Sequence, residues 1–468
     1  MKTKNTFHLV SLGCAKNTVD SDSMAQLLIH DGYRALEDPK KASVLIVNTC
    51  GFIGPAKEES FRVLGELADM KRDGQVLIAA GCLTQRYGVE VAQKVPGIDG
   101  ILGTRRWMDI VQVVSELRKS AHPSTGSGLR PAPLYHLPDE AVTVGLDPVG
   151  ADGRLPLLRA SVAGASAYLK IADGCRRPCA FCAIPLIKGT AVSRPIETIL
   201  DEARRLRDVG VRELVLIAQD TTDYGHDFGL KDGLAVLLER LTDTVPDMDW
   251  IRIMYAFPGY VTDKLIEVMA SRKQILSYLD MPLQHAHPKT LYRMKRPSNI
   301  EWVYKTLGKM RASIPDLSIR TTFIVGYPGE TDEEFQALID FVNDIRFDRV
   351  GTFQFSFEPG TTSAPLGDPV PASVKQERYE RLMELQQTIS LQVNQSYVGK
   401  TLDVLVEGFD NGISIGRSYR DAPEIDGMVF IEGDAKIGDI VPVKITGAMA
   451  YDLTGVPEVQ GTKLQVNH

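Results

Sequence analysis

Residues 173–190 read DGCRRPCAFCAIPLIKGT and place Cys175, Cys179 and Cys182 within one short loop. The loop follows a strand-like run, AYLKIA (167–172), and is marked by Gly174 and Pro178. A lone cysteine pair would be ambiguous. Three thiolates with asymmetric gaps can wrap one corner of an iron–sulfur cubane. A four-iron four-sulfur (4Fe-4S) cluster ordinarily takes four cysteines, so three leave one iron open to a further ligand. A zinc site of three cysteines and a histidine, or three incidental thiols, are the other readings. The nearest downstream histidine, His226, lies beyond another strand-like run, which weakens the zinc reading.

Working outward, the chain of 468 residues carries only three more cysteines, Cys14, Cys50 and Cys82, and a formal charge of -7. No run of ~18 apolar residues is present, so no membrane span is expected. The opening MKTKNTFHLVSLGC has no long apolar stretch with a small-residue cleavage site, which points to the cytoplasm. Thiols stay reduced there, so metal or redox chemistry is favoured over three disulfides. The net negative charge speaks against a strong nucleic-acid binder.

Residues 1–118 alternate strand candidates (FHLVSLG, SVLIVNT, VLIAAG) with helix-like runs, the pattern of a doubly wound parallel α/β sheet. Residues 119–166 are rich in Pro, Gly and Ser and read as a linker. From 167 to 390, six strand candidates alternate with helices and predict a partial (β/α) barrel. Its helix from Ile196 presents Ile199, Leu200, Ala203 and Leu206 as one stripe; Thr331 and Glu334 form a capping-box pair. Ser373 with Gln376 reads as a second capping box. Residues 391–468 hold five short strands between Gly and Asp turns, the pattern of a small antiparallel β-barrel.

The three-cysteine loop resembles the signature of the radical S-adenosylmethionine enzymes, and the six-strand run resembles their partial barrel. The resemblance implies that the open iron chelates S-adenosylmethionine and that cleavage of the cofactor yields a 5′-deoxyadenosyl radical. The protein then positions the cofactor and excludes stray hydrogen donors. Phe181 and Ile184-Pro185 fit packing around cluster and adenosine. Gln219, and with weaker claims Arg194, Gln284 and His285, are candidates to grip the methionine part. Gly326 is a candidate for close backbone approach to the cofactor, or only for shaping the turn before the next helix.

Cys14, Cys50 and Cys82 each end a hydrophobic strand (VSLGC, IVNTC, IAAGC). Strand ends of a doubly wound sheet form one ligand-binding edge, so the three can converge on a second cluster with one open iron. Buried cysteines also serve as small hydrophobes, but three in one register point to a site. With two incompletely ligated clusters and a terminal barrel, the chain resembles the methylthiotransferases, which replace a C–H bond with C–S–CH3. The resemblance covers nearly the whole chain. It implies two 4Fe-4S clusters, S-adenosylmethionine used as methyl donor and radical source, a reducing electron donor, and two sites facing one cavity.

Two branches of that family compete. One modifies a tRNA adenosine (isopentenyladenosine C2); the other modifies the β-carbon of an aspartate in small-subunit ribosomal protein twelve. LIAQDTTDYG (216–225) and RDAPEIDG (420–427) resemble the ribosomal-protein branch. Residues 391–468 carry six Lys or Arg against eleven Asp or Glu. Such a barrel suits a basic ribosomal protein better than a phosphate backbone, though acids also simply solvate a surface. Arg293, Lys295 and Arg296 form a basic patch that reads as a solvated helix end, or else as a contact for an acidic substrate segment or ribosomal RNA. His285 and His287 fit the mouth of a radical-enzyme cleft better than a zinc site.

Overall fold

The computed structural model describes residues 5–120, 132–137 and 158–458. Strands Thr6–Ser11, Val44–Thr49, Val76–Gly81 and Gly100–Gly103 lie side by side in parallel. Arg34–Ala35 adds to one edge and Leu134–His136 to the other. Val44–Thr49 and Val76–Gly81 are buried along their length, as parallel strands covered on both faces must be. Met24 and Leu28 of helix Ala15–His30, with Val113 and Val114 of helix Ile110–Ser120, cover one face. Leu64 and Leu67 of helix Gly54–Met70, with Leu83 and Val91 of helix Cys82–Lys94, cover the other. This is the doubly wound sheet that the alternation predicts.

The second sheet has six parallel strands: Ser166–Lys170, Glu213–Ile217, Trp250–Ile253, Ile275–Asp280, Ser318–Val325 and Arg349–Gln354. Ala160–Ala163 pairs antiparallel on its outer edge. The sheet remains an open arc. Its convex face packs on helices through alternate residues such as Leu214 and Leu216. Its concave face carries Tyr168, Val215, Ile217 and Tyr278, which cluster with Val19 of the first domain and with Leu405 and Ala422 of the terminal one. One apolar cluster therefore joins all three parts of the chain.

The terminal strands Thr401–Asp410, Ile413–Ser418, Val429–Glu432, Ile440–Ala448 and Leu453–Pro457 close into a barrel. Four pairings are antiparallel, but Val429–Glu432 runs parallel to Leu453–Pro457. Buried charges fasten this barrel to the arc: Arg417 to Glu213 at 2.6 Å, Arg349 to Asp421 at 2.6 Å, and Arg420 to Asp348 at 3.2 Å. Tyr278 donates to Asp426 at 2.7 Å. RDAPEIDG is thus an interdomain fastener.

Two expectations change. The segment 119–166 contains the strands Leu134–His136 and Ala160–Ala163, which complete sheet edges; residues 121–131 and 138–157 of it lie outside the described residues. The helix expected to open with a Ser373 capping box runs Ala372–Gln395 with Pro371 at its N-cap and no side-chain cap. Gln376 instead donates to Glu380 along the helix. The Thr331–Glu334 capping box forms as expected.

Candidate metal-cofactor site

The strands ending near Cys14, Cys50 and Cys82 are immediate neighbours in the first sheet. Cys14 is the N-cap residue of helix Ala15–His30, Cys50 follows Thr49, and Cys82 opens its helix directly after Gly81. Close backbone approach brings them together. A Cβ added at Gly13 would stand 2.8 Å from Cys50 Cβ and 3.0 Å from its Sγ. Gly81 holds φ +102 and would place a Cβ 2.4 Å from Asn48 Oδ1, so only glycine fits where the chain turns into Cys82.

The Cys175 loop is held from several sides. Cys175 N–H donates to Gly189 O at 3.0 Å, and Ala180 N–H to Met294 O at 2.8 Å. Arg177 pairs with Asp220 at 2.5 Å, and Arg176 with Asp223 at 2.6 Å. The QDTTD motif after strand Glu213–Ile217 therefore clamps the two arginines between Cys175 and Cys179. Backbone N–H groups of Arg177 and Ile184 donate to the sulfurs of Cys175 and Cys182 at 3.4 Å. Arg296 donates to Cys179 Sγ at 3.6 Å. Such contacts suit thiolate ligands.

All six cysteines line a single cavity of about 420 Å³. Phe181, Gln219 and Gln284 line it as well. Gln219 Oε1 is buried there without a hydrogen-bond partner among the described residues, an acceptor left open for a ligand. Gln284 takes a left-handed backbone, φ +74. Gly326 is not among the lining residues; a Cβ there would meet Lys375 Cγ at 2.4 Å, so its glycine makes room for a helix side chain rather than a cofactor. Arg194 is committed to Glu202 at 2.6 Å. His285 is buried outside the lining, and burial pushes its imidazole down to about 3.

Electrostatics differ between the thiols. Burial pushes Cys82 and Cys182 up to about 12 and Cys175 up to about 11. Cys14 is exposed into the cavity; enclosure by the walls raises its thiol, but Lys16 and the helix N–H of Asn17 outweigh that and leave it below its ordinary value. Among the described residues, no three His, Cys, Asp or Glu side chains are drawn in to the spacing of single-ion ligands. A cubane, whose thiolates bind separate irons, calls for the wider spacing. The open cavity, the N–H···S contacts and the unpaired Gln219 oxygen together fit a cluster with a further ligand at the Cys175 trio, and the second trio lines the same cavity.

Several contributors were not legible in advance. Asp20, Asp173, Lys170, Lys188 and Arg159 form one buried network: Lys170 lies 2.6 Å from both carboxylates, and Lys188 lies 2.9 Å from Asp20 and 3.2 Å from Asp173. Arg159 joins Asp20 at 2.6 Å. Asp20 sits six residues after Cys14, and Asp173 two before Cys175, so the network ties the two cysteine sets together. Burial raises the Asp20 carboxyl, but Lys170, Lys188 and Arg159 overcome it and hold it far below the carboxylate range. Arg296, read as part of a solvated helix end, is buried instead, stacked on Phe257 at 4.0 Å and lining the cavity. The alternation of apolar and polar residues gives no signal for a cation that packs on an aromatic ring.

Family models match three consecutive segments: an uncharacterized protein family, UPF0004, at residues 6–103, the radical SAM superfamily at 169–342, and the TRAM domain at 398–457. The ribosomal protein uS12 methylthiotransferase RimO of Chloroflexus aurantiacus is 50% identical over 454 residues, covering 96% of this chain and 99% of its own. That of Roseiflexus sp. is 46% identical and covers 96% of each chain. The chain belongs to the RimO methylthiotransferase family. Among solved structures, the radical S-adenosylmethionine methyltransferase TsrM of Kitasatospora setae superposes with a TM-score of 0.55 at 14% identity. It covers 86% of this chain and 81% of its own, a likeness of fold. The radical SAM family assignment carries with it S-adenosylmethionine and 4Fe-4S clusters as cofactors. No helix among the described residues is long and apolar enough to cross a membrane.

Proposed function

We propose that this chain replaces a hydrogen on the β-carbon of an aspartate of ribosomal protein uS12 with a methylthio group. The single observation that carries the reading is one cavity lined by both cysteine trios, in a chain half identical to RimO over nearly its full length. Cys175, Cys179 and Cys182 are assigned to one 4Fe-4S cluster and Cys14, Cys50 and Cys82 to a second. With S-adenosylmethionine these clusters supply the hydrogen-abstracting radical at the first trio and a holding site for sulfur at the second.

The chain's own residues then do the rest. Asp220 and Asp223, through Arg177 and Arg176, fix the first loop. Phe181, Ile184, Phe257 and Phe353 give the cavity apolar walls. Gln219 and Gln284 are assigned to the bound cofactor; Gln219 Oε1 is free to accept a hydrogen bond from an amino group. The Asp20–Lys188 network sets the distance between the halves of the site.

The work divides as a sulfur-site domain at 1–118, a connection at 119–166, a radical domain at 167–390 and a TRAM barrel at 391–468. The enzyme is assigned to the cytoplasm, where its ribosomal target and a reducing electron donor are found. A tRNA target is disfavoured by the barrel: Arg417 and Arg420 are buried in the fastener together with Asp421 and Asp426, so its excess of acids remains on the outside. Mass spectrometry of ribosomal proteins and of tRNA from cells with and without the gene tests the assignment. The expected result is one SCH2 unit on an aspartate of uS12 that vanishes with the gene; the same change on tRNA alone overturns it.

A further inference from the structure

Four cations line the cavity: Lys16, Arg177, Lys188 and Arg296. Three are held by carboxylates or by direct hydrogen bonds, whereas Lys16 has the Cys14 thiol two residues before it as its charged neighbour. Arg177 pairs with Asp220, Lys188 with Asp20 and Asp173, and Arg296 donates to Cys179 Sγ and to Pro282 O. Lys16 has no carboxylate within ion-pair distance among the described residues. Its ammonium rests over the Tyr255 ring, 3.3 Å from the centroid.

The backbone fixes that arrangement from both sides. Lys16 lies in the first turn of helix Ala15–His30, two residues after Cys14. Tyr255 follows strand Trp250–Ile253 of the arc and adopts φ +61, uncommon for a residue with a side chain. Its N–H donates to Asp280 Oδ2 at 3.1 Å, and its carbonyl accepts from Thr221 N–H at 3.1 Å. The ring is thereby held as a platform, and the ammonium reaches from the first domain onto the second within the cavity that both trios line.

A side chain that presents its β-carbon for reaction brings its carboxylate one bond away. Entering a cavity with apolar walls, that carboxylate loses water and needs a cation. We propose that Lys16 receives the carboxylate of the substrate aspartate and makes the site selective for an acidic side chain. This rests on the methylthiotransferase reading above. An ammonium offers a point charge and three donors to a carboxylate, whereas an amide in its place would leave the charge uncompensated. Lys16 is assigned as a binding residue that selects the substrate; it takes no part in bond making.

The test uses anaerobically reconstituted holoenzyme without reductant, so that binding is read apart from turnover. Fluorescence anisotropy measures affinity for two labelled uS12 segments, one with the target aspartate and one with asparagine there. Wild type should favour the aspartate segment by about tenfold or more, the size of a hydrogen bond to a charged group. Lys16→Met should erase the preference, and Lys16→Arg should retain much of it. Iron content of each variant is measured alongside.

A preference that survives in Lys16→Met overturns the inference. So does loss of iron in Lys16→Met alone, which would assign the ammonium to the cluster's charge, and so does a wild type that binds both segments equally. A wild type that binds neither segment, together with unmodified uS12 in cells, overturns the substrate reading itself.

Discussion

Cys175, Cys179 and Cys182 occupy one loop, whereas Cys14, Cys50 and Cys82 ride on three neighbouring strand ends. The first set is positioned by local chain geometry and a few clamps. The second exists only when the parallel sheet has formed in register. A local trio is therefore written in spacing, and a dispersed trio in the fold. The electrostatics differ too: the first loop has arginines on its sulfurs and aspartates behind them, while the second set has Lys16 beside Cys14 and Lys188 near Cys82.

The largest expected effect separates the two sets outright. Replacing Cys175, Cys179 and Cys182 together by alanine should halve the iron content, roughly, and abolish deoxyadenosine formation. Replacing Cys14, Cys50 and Cys82 should cost a similar share of iron yet leave S-adenosylmethionine cleavage, while methylthiolation stops. Equal loss of cleavage in both variants would break the distinction.

Next comes the network between the sets. Asp20→Asn leaves Lys170, Lys188 and Arg159 facing Asp173 alone, and should cost ~3–5 kcal/mol, the usual penalty for unpairing a buried charge. Thermal denaturation of the variant beside wild type reads it. Because the folded carboxyl of Asp20 is depressed, its contribution is present above the ordinary carboxylate range and is lost as the medium is acidified below pH of about 4.

A smaller pair of changes sharpens the contrast. Gly81→Ala should cost ~1–3 kcal/mol in backbone strain and lose the second cluster selectively, as iron analysis and electron paramagnetic resonance would show. Gly174 has φ +72, and a Cβ there would stand 1.9 Å from Thr190 O. Gly174→Ala should therefore disturb the first cluster instead.

The smallest effect is a pH dependence. Raised thiols at Cys82, Cys175 and Cys182 favour the neutral form in the folded apoprotein. That contribution is complete below the unfolded thiol value and fades as pH rises through the folded ones. Apoprotein stability should fall by something on the order of 1 kcal/mol as pH climbs past about 8.5, while the cluster-loaded protein stays level. Melting curves of both forms across that window check it.

Much of this was legible from the chain. The buried runs VLIVNT and VLIAAG announce parallel strands, and the cysteine that follows each run marks the edge where the second trio gathers. Leu134–His136 was hidden because three residues among prolines carry no period; the neighbouring strand supplies their partner. The cysteines could be read one by one, but Lys16, Lys188 and Arg296 could not. Their roles depend on Tyr255, Asp173 and Phe257, brought near by folding, so spacing along the chain holds no trace of them. QDTTD and RDAPEIDG were visible as patterns, yet their work as clamp and fastener required knowing which arginines they meet.

Parting the fastened barrel from the arc would break the Arg417–Glu213, Arg349–Asp421 and Arg420–Asp348 pairs together in a buried seam. The barrel is therefore a rigid outrigger, and the span from its acidic rim to the six sulfurs is a constant of the molecule. Under the proposed function, a ribosomal segment that touched both would have to span that fixed distance, so reach would join chemistry in selecting the aspartate that enters.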